Sequence, residues 1–436
     1  MALGGGTFTF QNKVLPGTYI NFVSAASASA SLSDRGIAAM PLETDWGPEG
    51  EIFEVTSGDF IKNSLTIFGY DYTNEKMKGL RDLFIGARTL YAYRLNGGGT
   101  KATNTFATAK FGGTRGNDLK IVITANADDN TKWDVSTLLD TEVMDTQTAV
   151  TDAAALVAND WVTFKSDATL AATAGTALTG GTNVTVTGTQ HQTFLDKLEA
   201  YSFNTLGLPS TDATTKSLYV AYTQRMRDEI GKKFQLVVHS KAADNYGVIN
   251  VKNSTSDANW NAASLVYWVT GMTAGCEVNA SLHNRLYNGE FTVGVSYTQA
   301  QLETAIQSGE FTFHKVGADV RVLEDINSMV TTTDTVGDVF KDNQTVRVID
   351  QIANDIAVIF NTNYLGTVPN DQTGRASLWS DIVSHHKQLA DVRAIEGFSA
   401  DDVTVAEGEN KHSVVVTDAI TVVNTMLQLY MTVTVG

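Results

Sequence analysis

Apolar and polar positions alternate in short runs through the first block of the chain, from Thr7 to about Leu95. The runs Thr18–Val23, Gly36–Met40, Glu51–Val55 and Thr89–Arg94 predict strands. One helix is predicted there, Asn74–Arg88, where Met77, Leu80, Phe84 and Ile85 recur at three- and four-residue steps. The triplet Gly97-Gly98-Gly99 then breaks the pattern as a hinge or domain boundary would. From Thr100 to about Thr189 the chain turns rich in Thr, Ala, Asp and Gly. Strands are predicted at Asn104–Lys110, Leu119–Thr124, Lys132–Thr137 and Trp161–Lys165, with a short helix at Thr148–Ala158. This stretch reads as an inserted, mostly β module.

From Gln190 to Leu323 helices and strands alternate. The helices are Gln192–Ala200, Asp212–Lys232, Asn259–Gly275 and Gln299–Gln307; the strands are Phe234–Ser240, Tyr246–Val251, Phe291–Ser296 and Phe311–His314. That order predicts an α/β sandwich with a largely parallel sheet. Two clearer helices follow. In Asn343–Asn361, Val346, Ile349, Ile352, Ala353, Ile356 and Phe360 form one apolar stripe; in Thr373–Val392, Trp379, Ile382, Val383, Leu389 and Val392 do the same. After Gly397 strands are predicted at Asp402–Val405, Ser413–Thr417 and Met426–Val435.

The two ends of the chain stand out. Leu427, Leu429, Met431, Val433 and Val435 make one apolar face, between the more polar Gln428, Tyr430, Thr432 and Thr434. At the front, Phe8 and Phe10 alternate with Thr7, Thr9 and Gln11 behind Gly4-Gly5-Gly6. Termini are ordinarily polar and frayed, and a strand without charge, proline or bulge is an aggregation template unless something covers it. Either both ends lie in their own domain's sheet, or they are donated to a neighbouring copy. Burying five apolar side chains contributes about 8–15 kcal/mol. Ordering about ten residues costs roughly 10–20 kcal/mol. A single donated strand is therefore near break-even and becomes firm only when several such links close one lattice.

Composition narrows the function classes. The chain has 436 residues, enough for about three domains, with 43% hydrophobic and 18% charged residues, so it is globular. With 31 basic against 48 acidic residues the net charge is −17, which argues against binding nucleic acid or anionic lipid by bulk electrostatics. The long uncharged runs Val14–Ser33 and Ala419–Gly436 are too rich in Ser, Gly, Thr, Asn and Gln for membrane helices, so no direct membrane insertion is expected. The start, Met1–Phe10, has neither a basic segment nor an apolar core and predicts no secretion signal.

Candidate chemistry is sparse. One cysteine, Cys276, rules out an internal disulfide and a CxxC zinc site; it follows an apolar helix and reads as a buried, inert thiol. The turn Gly112-Gly113-Thr114-Arg115-Gly116-Asn117 precedes a strand rather than a helix, so a phosphate cradle is not expected. His385 and His386 point about 100° apart on their helix and cannot share one ion unaided; they read as a solvated face. Four N-x-S/T triplets, at Asn183, Asn253, Asn279 and Asn343, mean little without export. No catalytic, cofactor-binding or metal-binding residues are predicted.

Several segments together resemble the sheath protein of contractile phage tails and R-type bacteriocins, in the version with an inserted domain. They are AKFGGTRGN (Ala109–Asn117), AYTQRMRDEIGKK (Ala221–Lys233), DNYGVINVK (Asp244–Lys252), VTGMTAGCEVNASL (Val269–Leu282), DIN (Asp325–Asn327), NQTVRVID (Asn343–Asp350), YLGTVPND (Tyr364–Asp371) and MLQLYMTVTV (Met426–Val435). They span nearly the whole chain in family order, with the thinnest coverage over Asp128–Gly188.

The resemblance implies a structural subunit without catalysis or cofactor. Copies would stack as hexameric rings around an inner tail tube in an extended, metastable state, and would contract on a baseplate trigger to drive the tube through a cell envelope. Implied partners are other copies in the helical stack, the tube protein, and baseplate and tail terminator proteins. Synthesis would be in the bacterial host cytoplasm, with the product in a virion tail or an extracellular bacteriocin particle. The implied inter-subunit strand exchange falls on Thr7, Phe8, Thr9, Phe10 and Gln11 at one end and on Leu427, Leu429, Met431, Val433 and Val435 at the other. The expected fold is a multidomain α+β or α/β chain. Residues 24–96 with 190–325 form a discontinuous α/β sandwich, 97–189 an inserted mostly β outer domain, and 326–436 a C-terminal α/β domain. That domain's sheet is completed by exchanged strands, and 1–23 is an arm belonging with it. A surface-layer or adhesin-type protein and an α/β enzyme on Gln190–Leu323 stand as alternatives.

Overall fold

The structure, a computed structural model, describes residues 32–435. The predicted strand Thr18–Val23 and the front-end segment Thr7–Gln11 lie outside the described residues. The chain divides into two compact units: one of Ser33–Asn354, Val392–Glu396 and 421–435, the other of Asp355–Asp391 and Gly397–Ile420.

The larger unit opens with strands β1 (Ile37–Leu42) and β2 (Ile52–Thr56), helices α1 (Ser57–Phe68) and α2 (Lys78–Phe84), and strand β3 (Thr89–Arg94). Helix α1 was not anticipated. Thr56 and Asp59 form a reciprocal capping box at its start, and Phe60, Ser64 and Phe68 make its buried face. Helix α2 is shorter than the predicted Asn74–Arg88. It begins after a 3-10 turn capped by Asn74, and Gly86, just past its end, lies so close to the Gly271 carbonyl that a Cβ there would sit 2.5 Å away.

Strands β4 (Ala107–Ala109), β5 (Leu119–Ala125), β6 (Trp133–Leu139), β7 (Glu142–Val150), β8 (Val162–Phe164) and β9 (Thr173–Ala177) follow. They form an antiparallel sheet in the order β7-β6-β5-β9 and a separate β4-β8 pair. The helix predicted at Thr148–Ala158 is absent. Val150 pairs with Trp133 in the sheet, and the Asp152 carboxylate accepts from Ala154 and Ala155 N–H, which limits the alanine run to one 3-10 turn. Trp46 stacks on Trp161 at 5.4 Å in this region's core, beside Leu119, Ile121 and Val135.

The chain continues through α3 (Gly188–Leu198), β10 (Thr205–Leu208), α4 (Ala213–Arg225), β11 (Gln235–His239), β12 (Val248–Val251), α5 (Val266–Gly275), α6 (Gln299–Gln307), β13 (Glu310–Phe311), β14 (Phe313–Val316) and β15 (Asp319–Val322). Helix α4 passes into a π-turn at Met226–Ile230 instead of running to Lys232. Helix α5 starts at Val266 rather than Asn259, because the Asn261 side chain holds Ala263 N–H in a preceding turn. The predicted strand Phe291–Ser296 is a loop with one isolated bridge, Thr255 to Val293, its Phe291 ring packed on Trp260.

Seven strands join in the order β13-β12-β11-β10-β1-β3-β2, parallel except for β2 at one edge. Successive residues of β1 feed opposite faces: Ala38, Met40 and Leu42 one core, Ala39 the other. The first core is closed by Phe60 and Phe68 of α1, Leu80 and Leu83 of α2, and Val266 and Trp268 of α5. The second is closed by Phe194 and Leu198 of α3 and Tyr219 and Val220 of α4. This is the α/β sandwich with a largely parallel sheet that the alternation predicted.

The last elements are α7 (Asn343–Ile359), α8 (Gln372–Asp391), β16 (Ile395–Glu396), β17 (Val403–Glu407), β18 (Val414–Asp418) and β19 (Thr421–Val422). Strands β17 and β18 form an antiparallel hairpin, and β16 pairs with β19. The predicted strand Met426–Val435 does not form within this chain: residues 423–435 carry no regular structure and join no sheet among the described residues.

Candidate assembly surfaces

The C-terminal segment is firmly rooted and then left bare. Gln344 Nε2 donates to the Val423 carbonyl at 2.8 Å, Val423 N–H donates to the Ala394 carbonyl at 3.0 Å, and Asn424 bonds the Thr345 hydroxyl. Beyond Thr425 the anchoring stops. Leu427, Leu429, Met431, Val433 and Val435 are 51–89% exposed, and Met426 and Tyr430 are exposed beside them. All five residues of the predicted apolar face thus lie in solvent, an unusual state for a run of large hydrophobic side chains. Among the described residues this end joins no sheet of its own chain.

In the smaller unit the β17–β18 hairpin is held against α8. Leu378, Ile382 and Val383 pack under Val403, with Trp379 and Val405 at the margin. Trp379 Nε1 donates to the Val403 carbonyl at 3.0 Å, and Asn370 Nδ2 donates to the carbonyls of Ser413 and Lys411 at 2.9 and 3.1 Å. The hairpin is a two-stranded sheet, so among the described residues both outer edges keep unpaired backbone groups. Val415 and Val416 on it are exposed.

His385 and His386 are fully buried, which corrects the solvated-face expectation. His385 Nε2 lies 2.9 Å from Asp355 Oδ2, and His386 Nε2 lies 2.8 Å from Asp418 Oδ2, the last residue of β18. The rings indeed turn to different carboxylates, as their helical offset requires. The pair therefore ties the end of the hairpin and the end of α7 to α8.

The body of the larger unit is locked by buried charge pairs. Arg227 makes a bidentate bond to Asp350, 2.7 Å on each arm. Arg347 Nη2 meets Asp325 Oδ2 at 2.6 Å with both side chains out of solvent. Burial pushes the Asp325 carboxyl up, but the Arg347 guanidinium outweighs it and holds the group below the usual carboxylate range. A second hub sits at Asp45, which accepts from Asn183 Nδ2 at 2.9 Å, Thr114 Oγ1 at 3.1 Å, the Tyr70 hydroxyl and Lys76. Burial raises Asp45, yet these donors overcome it and leave its pKa at about 2. Sequence patterning missed all of these partners, because each lies far along the chain from its mate.

The other candidates fall as follows. Gly112–Asn117 is a turn leading through a short 3-10 segment into β5, as expected. Cys276 is buried, and burial pushes its thiol up. Thr7, Phe8, Thr9, Phe10 and Gln11 lie outside the described residues.

Comparison with known proteins gives four family matches in chain order. Residues 35–95 match the tail sheath protein Gp18 domain III N-terminal region, and 97–183 the phage tail sheath protein beta-sandwich domain. Residues 184–328 match the phage tail sheath protein central domain, and 335–436 the phage tail sheath C-terminal domain. The crystal structure of a sheath tail protein from Desulfitobacterium hafniense is 40% identical. The match covers 89% of this chain and 93% of that one, with a TM-score of 0.80. The phage-like element PBSX protein XkdK of Bacillus subtilis is 30% identical over the full length of both chains. The helical sheath of the anti-feeding prophage in its contracted state, at 16% identity, shares the fold with a TM-score of 0.57 over 96% of this chain and 98% of that one.

Proposed function

The chain belongs to the phage tail sheath protein family, and from that premise we propose that it is the repeating subunit of a contractile sleeve. Copies stack as hexameric rings around an inner tail tube and hold an extended, metastable state. On a signal from the baseplate they shorten and drive the tube through a target cell envelope. The particle is assembled in the bacterial cytoplasm and works as the tail of a virion or as a headless bacteriocin. Besides its own copies the subunit meets the tube, the baseplate and a tail terminator.

The observation that carries this reading is the bare apolar face at Leu427, Leu429, Met431, Val433 and Val435 on a rooted stem, in a chain whose β17–β18 hairpin keeps open edges. Each need is answered by a neighbouring copy: the hairpin of one subunit receives the terminal segment of another, and Thr7–Gln11 of a third joins the same sheet. Such links keep neighbours tethered while their bodies rotate, and the energy released on shortening is the difference between two packings of identical bodies. No nucleotide is consumed. Helices α7 and α8 form the tube-facing layer, and residues 97–189 the outer surface.

The test is polymerisation. Concentrated full-length protein, viewed by negative-stain microscopy, should show hollow striated tubes. A chain that stays monomeric at every concentration refutes the proposal.

A further inference from the structure

Strand order reverses at β1, which has β3 on one side and the later β10 on the other. Helices α1 and α2 cover one face of the sheet, and α3 and α4 the other. The carboxyl ends of the strands at such a reversal bound a crevice, the usual ligand position in an open parallel sheet. A half-open cavity of about 520 Å3 lies there, with Glu43, Asp45, Glu75, Lys76, Tyr70 and Trp260 in its lining. Glu43 follows directly on the carboxyl end of β1. Asn261 Nδ2 donates to the Pro209 carbonyl at 2.9 Å, which holds the loop carrying Trp260 beside the carboxyl end of β10. Trp260 is fixed in turn by edge contacts with Tyr267 and Phe291. All of these residues belong to the larger unit.

The charges around the cavity select the guest. Lys76 is matched by Asp45, and the neighbouring Lys78 by Asp257 and Glu75. Arg115, over the Tyr70 ring, is matched by Asp118 and Asp140. Glu43 pairs with no cation or hydrogen-bond donor among the described residues. It is exposed as a residue, yet loss of water around its carboxyl raises the pKa, and no neighbouring group offsets the shift. Three carboxylates against one ammonium in the lining disfavour an anionic guest. A metal ion needs several converging ligands, and no cluster of three such side chains occurs among the described residues. Tyr70 and Trp260 offer an aromatic wall instead, which suits an apolar stem behind a charged head.

We propose that this crevice binds one organic cation: a primary ammonium or guanidinium group paired with Glu43, on a short methylene stem laid against Trp260. Its source is a free amine or the side chain of a lysine or arginine on another protein. Binding belongs to the single subunit and does not rest on the sleeve reading.

Saturation-transfer NMR on dispersed full-length protein, titrated with pentan-1-amine, should show saturable binding through the methylene protons at about 1 mM or tighter. Pentan-1-ol, with the same stem and no charge, should bind at least about tenfold more weakly. Glu43→Gln removes no internal partner, so it should melt as the wild type does and lose about tenfold in amine affinity. Cadaverine and a lysine blocked at both its amino and carboxyl ends separate the sources. Tighter binding of cadaverine assigns the site to a free diamine, and equal or tighter binding of the blocked lysine assigns it to a protein side chain. The proposal is overturned by an absence of saturable amine binding, by pentan-1-ol binding as tightly as the amine, or by full amine affinity in Glu43→Gln.

Discussion

Consider a lysine placed at Met431 and, separately, at its neighbour Thr432. Both positions are exposed in the isolated chain, Met431 at 74%, so neither change removes a core side chain from the folded subunit. In an added strand, consecutive side chains face opposite sides. Met431 shares its side with Leu427, Leu429, Val433 and Val435, whereas Thr432 shares its side with Gln428 and Thr434. Docking the apolar side contributes about 1.5–3 kcal/mol per residue. Met431→Lys forfeits one such contribution and carries a charge into the joint, whose desolvation costs several kcal/mol more. The sum is at least about 4 kcal/mol, or about a thousandfold rise in the concentration needed to polymerise. Thr432→Lys should cost about 1 kcal/mol or less. Sedimentation against concentration, with microscopy of the pellets, reads both. Tube formation by Met431→Lys at the wild-type concentration, or an equal block by Thr432→Lys, refutes the face assignment.

A chain ending at Asn424 keeps the root on Gln344 and Thr345; it should melt within about 1 °C of the full chain and never form tubes, as checked by calorimetry and microscopy. Arg227→Met leaves Asp350 buried without its partner and should lose about 3–5 kcal/mol of stability in denaturant titrations. Burial pushes Asp82 up to about 6, although Glu290 N–H and the Tyr287 hydroxyl both donate to it. The folded state therefore binds more protons than the unfolded chain between about pH 4 and 6, and stability falls as pH rises through that window. Asp82→Asn should remove about 2 kcal/mol of this fall, measured as the difference between unfolding free energies at pH 4 and pH 7.

Where side-chain spacing alone decides the structure, the sequence was readable. Helix α6 and strand β3 have their predicted bounds, and α8 lies within one residue of them. The parallel sheet followed from helix–strand alternation. Helix α1 follows directly on the strand-like run Glu51–Val55, and its local sequence signal is confined to the Thr56–Asp59 capping box. Strands β7 and β9 carry mostly exposed side chains and so lack the alternation that marks a half-buried strand. The histidine pair shows a different limit. Its partners Asp355 and Asp418 arrive from 30 and 32 residues away, and no periodicity encodes that meeting. The terminal segment was legible as a strand pattern, yet among the described residues no strand pairs with it.

The distribution of polar groups also limits where any change of state can occur. Parting Arg227 from Asp350, or Arg347 from Asp325, would strand a buried charge at about 3–5 kcal/mol each. Gly271 fits the larger unit so tightly that a single added Cβ would stand 1.9 Å from the Leu83 carbonyl. Such a core resists gradual deformation and repacks only at a cost comparable to a domain's whole stability. The terminal segment carries no such penalty: among the described residues it makes no buried polar bond past Thr425, and on the proposed function its docking free energy would sit near balance with its ordering cost. On the proposed function, a sleeve of these subunits would therefore shorten by moving intact larger units while the terminal segments keep neighbours tethered. Substitutions that loosen the core should lower each copy's stability without altering how far the sleeve contracts.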